Sequence, residues 1–371
     1  MSKTVVVVGG GPAGLAVARD LSTKLGPLGY NLILINARPF HVHLIAAARM
    51  TVSAVDRLED SALLPFDKIF ANGVGSVKVG TVASITENDG GQGGVVTLAD
   101  GETVSYGYLV LAPGSRWNDN FALPNDKEAI TEHLAKWRHK FESAQDIVLA
   151  GGGAVGLETA GEIKDIWPSK NVTIVHSGDM LFNDTYPASF RKYVAKTFTA
   201  RGVKIVYGDY IDDFPTEKAA GVTTRNGKKL NADLVLATTG PLPNTAFVSS
   251  LGSAVLNKRG SIIVKPTLQL FAHPNIYAAG DVIDWAEQKQ AAKVAGHAAV
   301  VAKNIVSAIQ GKPTVALYKG GTEMIVLTNG KAGGAAFFNV LWGISLGAWF
   351  ARLVKSKDLL IGFARKGVGL S

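Results

Sequence analysis

The chain has 371 residues, of which 47% are apolar and 18% charged, and it contains no cysteine. That length and apolar content predict two or three folded units with buried cores, and the missing cysteine excludes disulfide frameworks, thiolate metal sites, iron–sulfur clusters and a redox-active thiol pair. The net charge of +8 permits nucleic acid, an anionic membrane face or a field that gathers anionic dinucleotides, but no nucleic-acid recognition motif accompanies it, so nucleic acid is not expected as the primary partner.

The chain opens on a β-branched strand, Thr4 to Val8, too short for the apolar run of a secretory signal, so an intracellular location is expected. Glycines follow at once in the run Gly9-Gly10-Gly11-Pro12-Ala13-Gly14, then a helix from Pro12 to Leu25 and a second apolar strand at 32–35. This is a βαβ unit of about thirty residues carrying a dinucleotide fingerprint. Gly9 permits the tight turn, Gly11 lets the backbone approach a pyrophosphate, and Gly14 lets the helix pack on the sheet. The helix N-terminus, with Pro12 and Ala13 in its first turn, offers its positive dipole end to the phosphates. An acidic residue is usual at the end of the second strand; Asn36 stands there, and its amide is expected to hydrogen-bond a ribose without charge assistance. His41 and His43 follow Phe40, with at least one of them expected to be solvated. A turn-rich stretch at 77–104 predicts a β-meander, and Tyr108 to Leu111 a buried strand ending in Ala112-Pro113-Gly114-Ser115.

The pattern then repeats. A helix at 128–142 leads to a strand at 147–149, a second run Gly151-Gly152-Gly153-Ala154-Val155-Gly156, a helix and a strand at 172–175. A turn-rich β region at 203–230 and the strand Leu234 to Ala237 close this copy. Gly151, Gly153 and Gly156 take the same three roles as in the first run. At the end of the second strand stand His176 and Ser177, where a carboxylate would favour NAD and an arginine NADP; weak discrimination between NADH and NADPH is expected, with His176 a candidate ribose contact. Glu158, in the first turns of the helix, can reach the nicotinamide amide or the edge of a flavin.

An apolar return segment carries Tyr277-Ala278-Ala279-Gly280-Asp281, followed by a helix expected over 288–310. A hairpin is expected from 324–327 and 335–338 about the two-residue turn Asn329-Gly330. From Ala332 to Ala351 no residue is charged, and aromatic residues including Trp342 and Trp349 are concentrated there. An interfacial helix over 339–354 is expected, with Arg352, Lys355 and Lys357 beside anionic headgroups.

Two fingerprints plus Gly280-Asp281 after an apolar strand resemble the FAD/NAD(P)-dependent pyridine nucleotide-disulfide reductase superfamily. The resemblance implies an α/β fold of two Rossmann-like dinucleotide-binding domains, the nicotinamide domain inserted in the FAD domain, plus a small C-terminal hairpin-helix domain. The corresponding boundaries are 1–116 and 242–315 for FAD, 117–241 for NAD(P)H, and 316–371 for the C-terminal part. It implies that Asp281 holds the flavin's ribityl chain. With no cysteine pair, electrons must leave the flavin for something other than a protein disulfide.

A closer likeness covers nearly the whole chain. Phe40-His41, Ala46-Ala47-Ala48-Arg49, Val155-Gly156-Leu157-Glu158, Glu162-Ile163-Lys164, Thr173-Ile174-Val175-His176-Ser177 and Lys355-Ser356-Lys357-Asp358-Leu359 resemble the ferroptosis-suppressor, apoptosis-inducing-factor-like family. That family implies an FAD-dependent NAD(P)H:quinone oxidoreductase on a cytoplasmic membrane face, on lipid droplets or associated with mitochondria. It implies a catalytic Glu158 facing nicotinamide and flavin, Lys355 near the quinone, and Arg49 among the cofactor-binding residues. The chain departs from the family at Ser2, Asn36 and Leu360, where a lipidated glycine, an acid and an aromatic are usual.

Overall fold

The computed structural model describes residues 2–215 and 220–370, so positions 216–219 of the predicted β region at 203–230 lie outside the described residues. Strand β1 (Thr4–Val8) is four valines after a threonine, and all four are buried, as a central strand of a parallel sheet must be. It is followed by α1 (Pro12–Leu25), β2 (Asn31–Asn36), α2 (Ala47–Val52), β3 (Ser76–Val79) and β4 (Tyr108–Leu111). The chain then leaves this unit for α3 (Lys127–Ser143), β5 (Asp146–Ala150), α4 (Ala154–Ile166), β6 (Asn171–His176), α5 (Ala188–Thr199), β7 (Val203–Tyr207) and β8 (Leu234–Ala237). It returns through β9 (Ile276–Ala278) and α6 (Val294–Ile309). The C-terminal part is β10 (Met324–Asn329), β11 (Gly333–Phe338), β12 (Ile344–Leu346), α7 (Ala348–Ala351), a π-helical stretch Arg352–Ser356, and α8 (Ile361–Gly367).

The two units are parallel sheets with strand orders β9-β4-β1-β2-β3 and β7-β6-β5-β8. Because β9 completes a sheet that began at Thr4, the second unit is an insertion in the first. The outgoing and returning connections pair with one another, Ser115–Arg116 antiparallel to Leu242–Pro243. The first core draws Val7 and Leu109 from before the insertion and Tyr277 and Val301 from after it. The C-terminal part joins both units: Leu327, Ala335 and Phe337 pack with Phe190 in the second core, while Ala364 and Val368 pack in the first.

Several local expectations are corrected. The stretch at 77–104 divides: β3 joins the first parallel sheet beside β2, and only the strands from Val82 to Tyr106 form the antiparallel meander. The helix expected from 288 starts at Val294, after a 3-10 turn, because Gln290 is held extended by its bonds to the Tyr186 hydroxyl and the Met324 carbonyl. The hairpin turn has three residues: Asn329 pairs with Gly333 as the last rung of the ladder, and Gly330 takes the positive φ. No helix spans 339–354. The apolar stretch there turns back as β12 against β11, and helical backbone begins only at Ala348. Among the described residues no helix is long and apolar enough to cross a membrane.

Candidate active site

The two glycine runs have the same geometry. Gly9 and Gly151 sit at φ +105° and +132°, where an L side chain is strained, and a Cβ there would also collide with the backbone of the neighbouring strand's end at Ala112 and Thr238. A Cβ on Gly14 would lie 1.8 Å from the Gly9 carbonyl oxygen, and one on Gly156 2.1 Å from that of Gly151. The third member differs: a Cβ on Gly11 or Gly153 would meet nothing within 4 Å. These residues are glycine for what must approach from outside. Both are the N-caps of their helices, and neither helix has a side-chain cap, so the first N–H groups of α1 and α4 are left for an anion. Pro12 and Ala13 open α1 as expected, with Pro12 where a missing N–H costs nothing.

The residues at the ends of the second strands also match. Asn36 Oδ1 accepts the Gly10 N–H at 2.8 Å, and its Nδ2 donates to the Arg38 carbonyl at 2.8 Å. The amide braces the loop, and its oxygen has a second lone pair that would be able to accept from a ribose hydroxyl. His176 Nδ1 accepts the Gly152 N–H at 3.2 Å while Nε2 lies 3.0 Å from the Phe182 carbonyl, which requires the Nε2–H tautomer. Both ring nitrogens are thus occupied, and the ribose contact expected of His176 is corrected to a brace of the second glycine loop.

Asp281 follows β9 in a tight turn, and the Ser115 hydroxyl donates to its Oδ2 at 2.8 Å. The turn is fixed from beneath, where Gly280 N–H donates to His297 Nδ1 at 3.0 Å and His297 Nε2 meets Glu287 at 3.1 Å. Neither support was legible in sequence: Ser115 and Asp281 are 166 positions apart, and only the parallel pairing of β4 with β9 puts them together.

The two expected catalytic residues, far apart in sequence, meet. Lys355 Nζ donates to Glu158 Oε1 at 2.6 Å and to the Val326 carbonyl at 3.0 Å, and Glu158 Oε1 also accepts the Thr328 N–H at 3.0 Å. Each side chain is 14% exposed. Lys355 therefore points inward to the second unit, and its expected place beside lipid headgroups is corrected. Glu158 lines a small cavity with Leu44, Ala48, Trp117, Phe121 and Val155, where α4 of the second unit faces α2 of the first, and Lys355 reaches that carboxylate from the C-terminal part.

His41 and His43 approach from the first unit, both only 5% exposed, so neither is solvated as expected. His41 Nδ1 lies 2.9 Å from the Gly10 carbonyl, and His43 Nε2 2.7 Å from that of Leu359. Burial pulls the His41 pKa down to about 4, and it lowers that of His43, with the Lys355 cation adding to the effect. Both rings are neutral near pH 7. Arg49 is also corrected: it is 3% exposed, and its guanidinium is directed at Glu162 of α4, at 2.8 and 3.0 Å, not at a dinucleotide.

The family profile of the pyridine nucleotide-disulphide oxidoreductases matches residues 3–300. The chain belongs to that family. A FAD-dependent oxidoreductase of Flammulina velutipes is 46% identical over 322 residues, which cover 87% of this chain and all of the relative. Ferroptosis suppressor protein 1 of Taeniopygia guttata is 30% identical over 377 residues, 99% of this chain and 96% of the relative. Among solved structures, the sulfide:quinone oxidoreductase of Aquifex aeolicus superposes with a TM-score of 0.77 at 19% identity, covering 99% of this chain and 91% of its own. The pyridine nucleotide-disulphide oxidoreductases use FAD and NAD(P)H, and this chain is a FAD-dependent pyridine nucleotide oxidoreductase.

The geometry fits both cofactors. The first loop, with its open face at Gly11 and Asp281 beside it, would hold FAD; the second, open at Gly153, would hold the nicotinamide dinucleotide. Gly11→Val and Asp281→Ala are each expected to release most of the FAD. The valine would fill the phosphate approach and the alanine would remove a ribityl acceptor. Flavin absorbance after gel filtration measures both; full retention in the two variants would refute the assignment of the first loop.

Proposed function

We propose that this protein is an NAD(P)H:quinone oxidoreductase that meets its acceptor at a membrane surface. The observation that carries the reading is the Glu158–Lys355 pair, a carboxylate and an amine 2.6 Å apart, whose Glu158 lines the cavity between α4 and α2. FAD held by the loop at Gly11 and by Asp281 would supply two-electron redox chemistry between NAD(P)H and an acceptor. The balance is NAD(P)H plus a proton plus quinone giving NAD(P)⁺ plus quinol. No acid, base or nucleophile of the chain is needed for the hydride step, because alignment of the two rings supplies the rate. Quinone reduction does need positive charge and a proton at a developing oxyanion. Lys355 Nζ holds both, and Glu158 Oε1 orients it.

Two further features support this acceptor. The chain has no cysteine to receive electrons, and its likeness to ferroptosis suppressor protein 1 extends across the C-terminal segment that bears Lys355. His176 and Ser177 stand at the end of the second strand in place of a carboxylate or an arginine, which suits weak discrimination between NADH and NADPH. The membrane part rests on exposed apolar side chains in the C-terminal unit: Leu341 is 76% exposed, Trp342 101%, Trp349 66% and Leu353 75%. Arg352 and Lys357 are exposed in the same segment and suit anionic headgroups.

Lys355→Met is expected to lower steady-state quinone turnover about 100-fold while FAD content is unchanged, the usual range for a lost proton donor. NAD(P)H oxidation assayed with soluble quinones, with a small iron–sulfur redox protein and without acceptor separates a quinone reductase from a flavin reductase of a small redox protein. Faster reduction of the redox protein than of any quinone, or wild-type quinone turnover in Lys355→Met, would overturn the quinone reading.

A further inference from the structure

Helix α4 meets the rest of the molecule through two ion pairs one turn apart. Glu158 takes Lys355, and Glu162, four residues on and on the same face, takes Arg49 from α2 of the first unit in a bidentate pair. Arg49 and Glu162 side chains are 3% and 4% exposed. Arg49 does more than neutralise Glu162. The same guanidinium donates to the carbonyls of Ser356 at 2.7 Å and Lys357 at 3.3 Å, the two residues that follow Lys355.

The backbone held in this way needs holding. Arg352–Ser356 is a π-helical stretch, a wider and less stable turn than an α-helix. Beyond it Leu359 and Leu360 both have positive φ, so the segment cannot relax into a continuous helix with α8. Two other side chains fix it: Ser356 Oγ donates to the Gly333 carbonyl at 2.8 Å, and His43 lies against the Leu359 carbonyl. Among the described residues, Arg49 is the side chain whose hydrogen bonds tie the segment to Glu162 of the second unit from α2 of the first.

We infer that Arg49 and Glu162 are positioning residues of the acceptor half-reaction: their buried pair clamps the backbone after Lys355 and so keeps its Nζ on Glu158. The inference rests on the proposed role of Lys355. The fork geometry is essential to it. A lysine at position 49 keeps the charge, but it cannot hold both carboxylate oxygens and two carbonyls in one plane. Misplacement of a catalytic group by about 1 Å is enough to cost up to about 100-fold in rate.

The experiment is a double-variant cycle on the FAD-loaded enzyme, with kcat/KM for a soluble quinone as the readout and FAD absorbance and Tm as controls on folding. Arg49→Lys is expected to lower kcat/KM by about 10- to 100-fold. Lys355→Met lowers it by itself. The double variant should be no worse than Lys355→Met alone, because a clamp has nothing to position once the lysine is gone. A merely structural role predicts otherwise, with the two losses multiplying in the double variant. Multiplying losses would overturn the inference, as would wild-type turnover in Arg49→Lys. Wild-type turnover in Lys355→Met would instead overturn the proposed function and this inference with it. Should Arg49→Lys not retain FAD, Glu162→Gln carries the same cycle, since it keeps the side-chain shape and removes the bidentate partner.

Discussion

Gly153→Val is expected to yield a folded, yellow protein whose flavin NAD(P)H no longer reduces. The fold tolerates the change because a Cβ at this position meets nothing within 4 Å, and the residue sits at an ordinary extended φ of −85°. The two methyl groups must then occupy the space before the uncapped N-terminus of α4, where the cofactor's phosphates would accept its N–H groups. Loss of two hydrogen bonds to a charged group, at about 1.5 kcal/mol or more each, is about 3 kcal/mol, or at least about 100-fold in affinity. FAD should stay, because the first loop belongs to a separate sheet. Anaerobic stopped-flow mixing with NADH reads the effect directly as loss of flavin bleaching. A normal bleaching rate would show that the loop Gly151 to Gly156 does not bind the nicotinamide dinucleotide.

The sequence announced the two halves of this machine better than their junction. Both βαβ units were legible because a run such as Val5 to Val8, glycines at fixed spacing and an apolar helix are all local signals. The return of the chain to its first sheet was legible from Tyr277 to Asp281 for the same reason. What failed was everything decided across the fold. The family resemblance nominates Arg49 as a cofactor residue, but its partner Glu162 is 113 positions away. His176 sits at the ribose end of its strand, and nothing in its neighbourhood showed that Gly152 and Phe182 would take both nitrogens. The Lys355–Glu158 contact, 197 positions apart, was not legible from spacing at all. Resemblance nominated both residues, and their meeting is a result of the C-terminal hairpin packing on α4.

The expected helix over 339–354 failed for another reason. Its apolar content is real, but Gly343 and Gly347 break it, and the backbone folds into a hairpin whose tip is unusual. Gly343 N–H closes a turn on the Val340 carbonyl at 2.9 Å, and both central residues, Leu341 and Trp342, have positive φ, +47° and +70°. Such turns favour Asn-Gly, because bulky side chains in this region are strained by about 1–3 kcal/mol each. Here the strain coincides with side chains that pack against little of the protein, and Trp342 is fully exposed.

The proposed membrane reading would account for both features and gives opposite expectations for stability and binding. Leu341→Asn/Trp342→Gly should raise Tm by relieving the turn, yet weaken binding to anionic liposomes. Trp342→Ser/Trp349→Ser should leave Tm and FAD unchanged, because both side chains are already exposed. Full burial of a large apolar side chain is worth about 1.5–3 kcal/mol, so losing two costs about 3 kcal/mol or more, at least about 100-fold in liposome affinity. Long-tailed quinones, which partition into lipid, should lose more turnover than short ones. High salt should weaken wild-type binding only in part, since screening acts on Arg352 and Lys357 and not on the apolar contact. Liposome binding equal to wild type in both double variants would refute the membrane reading, and loss of FAD or of the folded state in Trp342→Ser/Trp349→Ser would mean that these side chains are packed in solution. On the proposed reading the tip between β11 and β12 would sit in a leaflet, and β10 of the same three-stranded sheet supplies Val326 and Thr328 to the Lys355–Glu158 pair. The surface that would meet lipid and the backbone groups that hold the pair proposed to serve the acceptor then belong to one sheet.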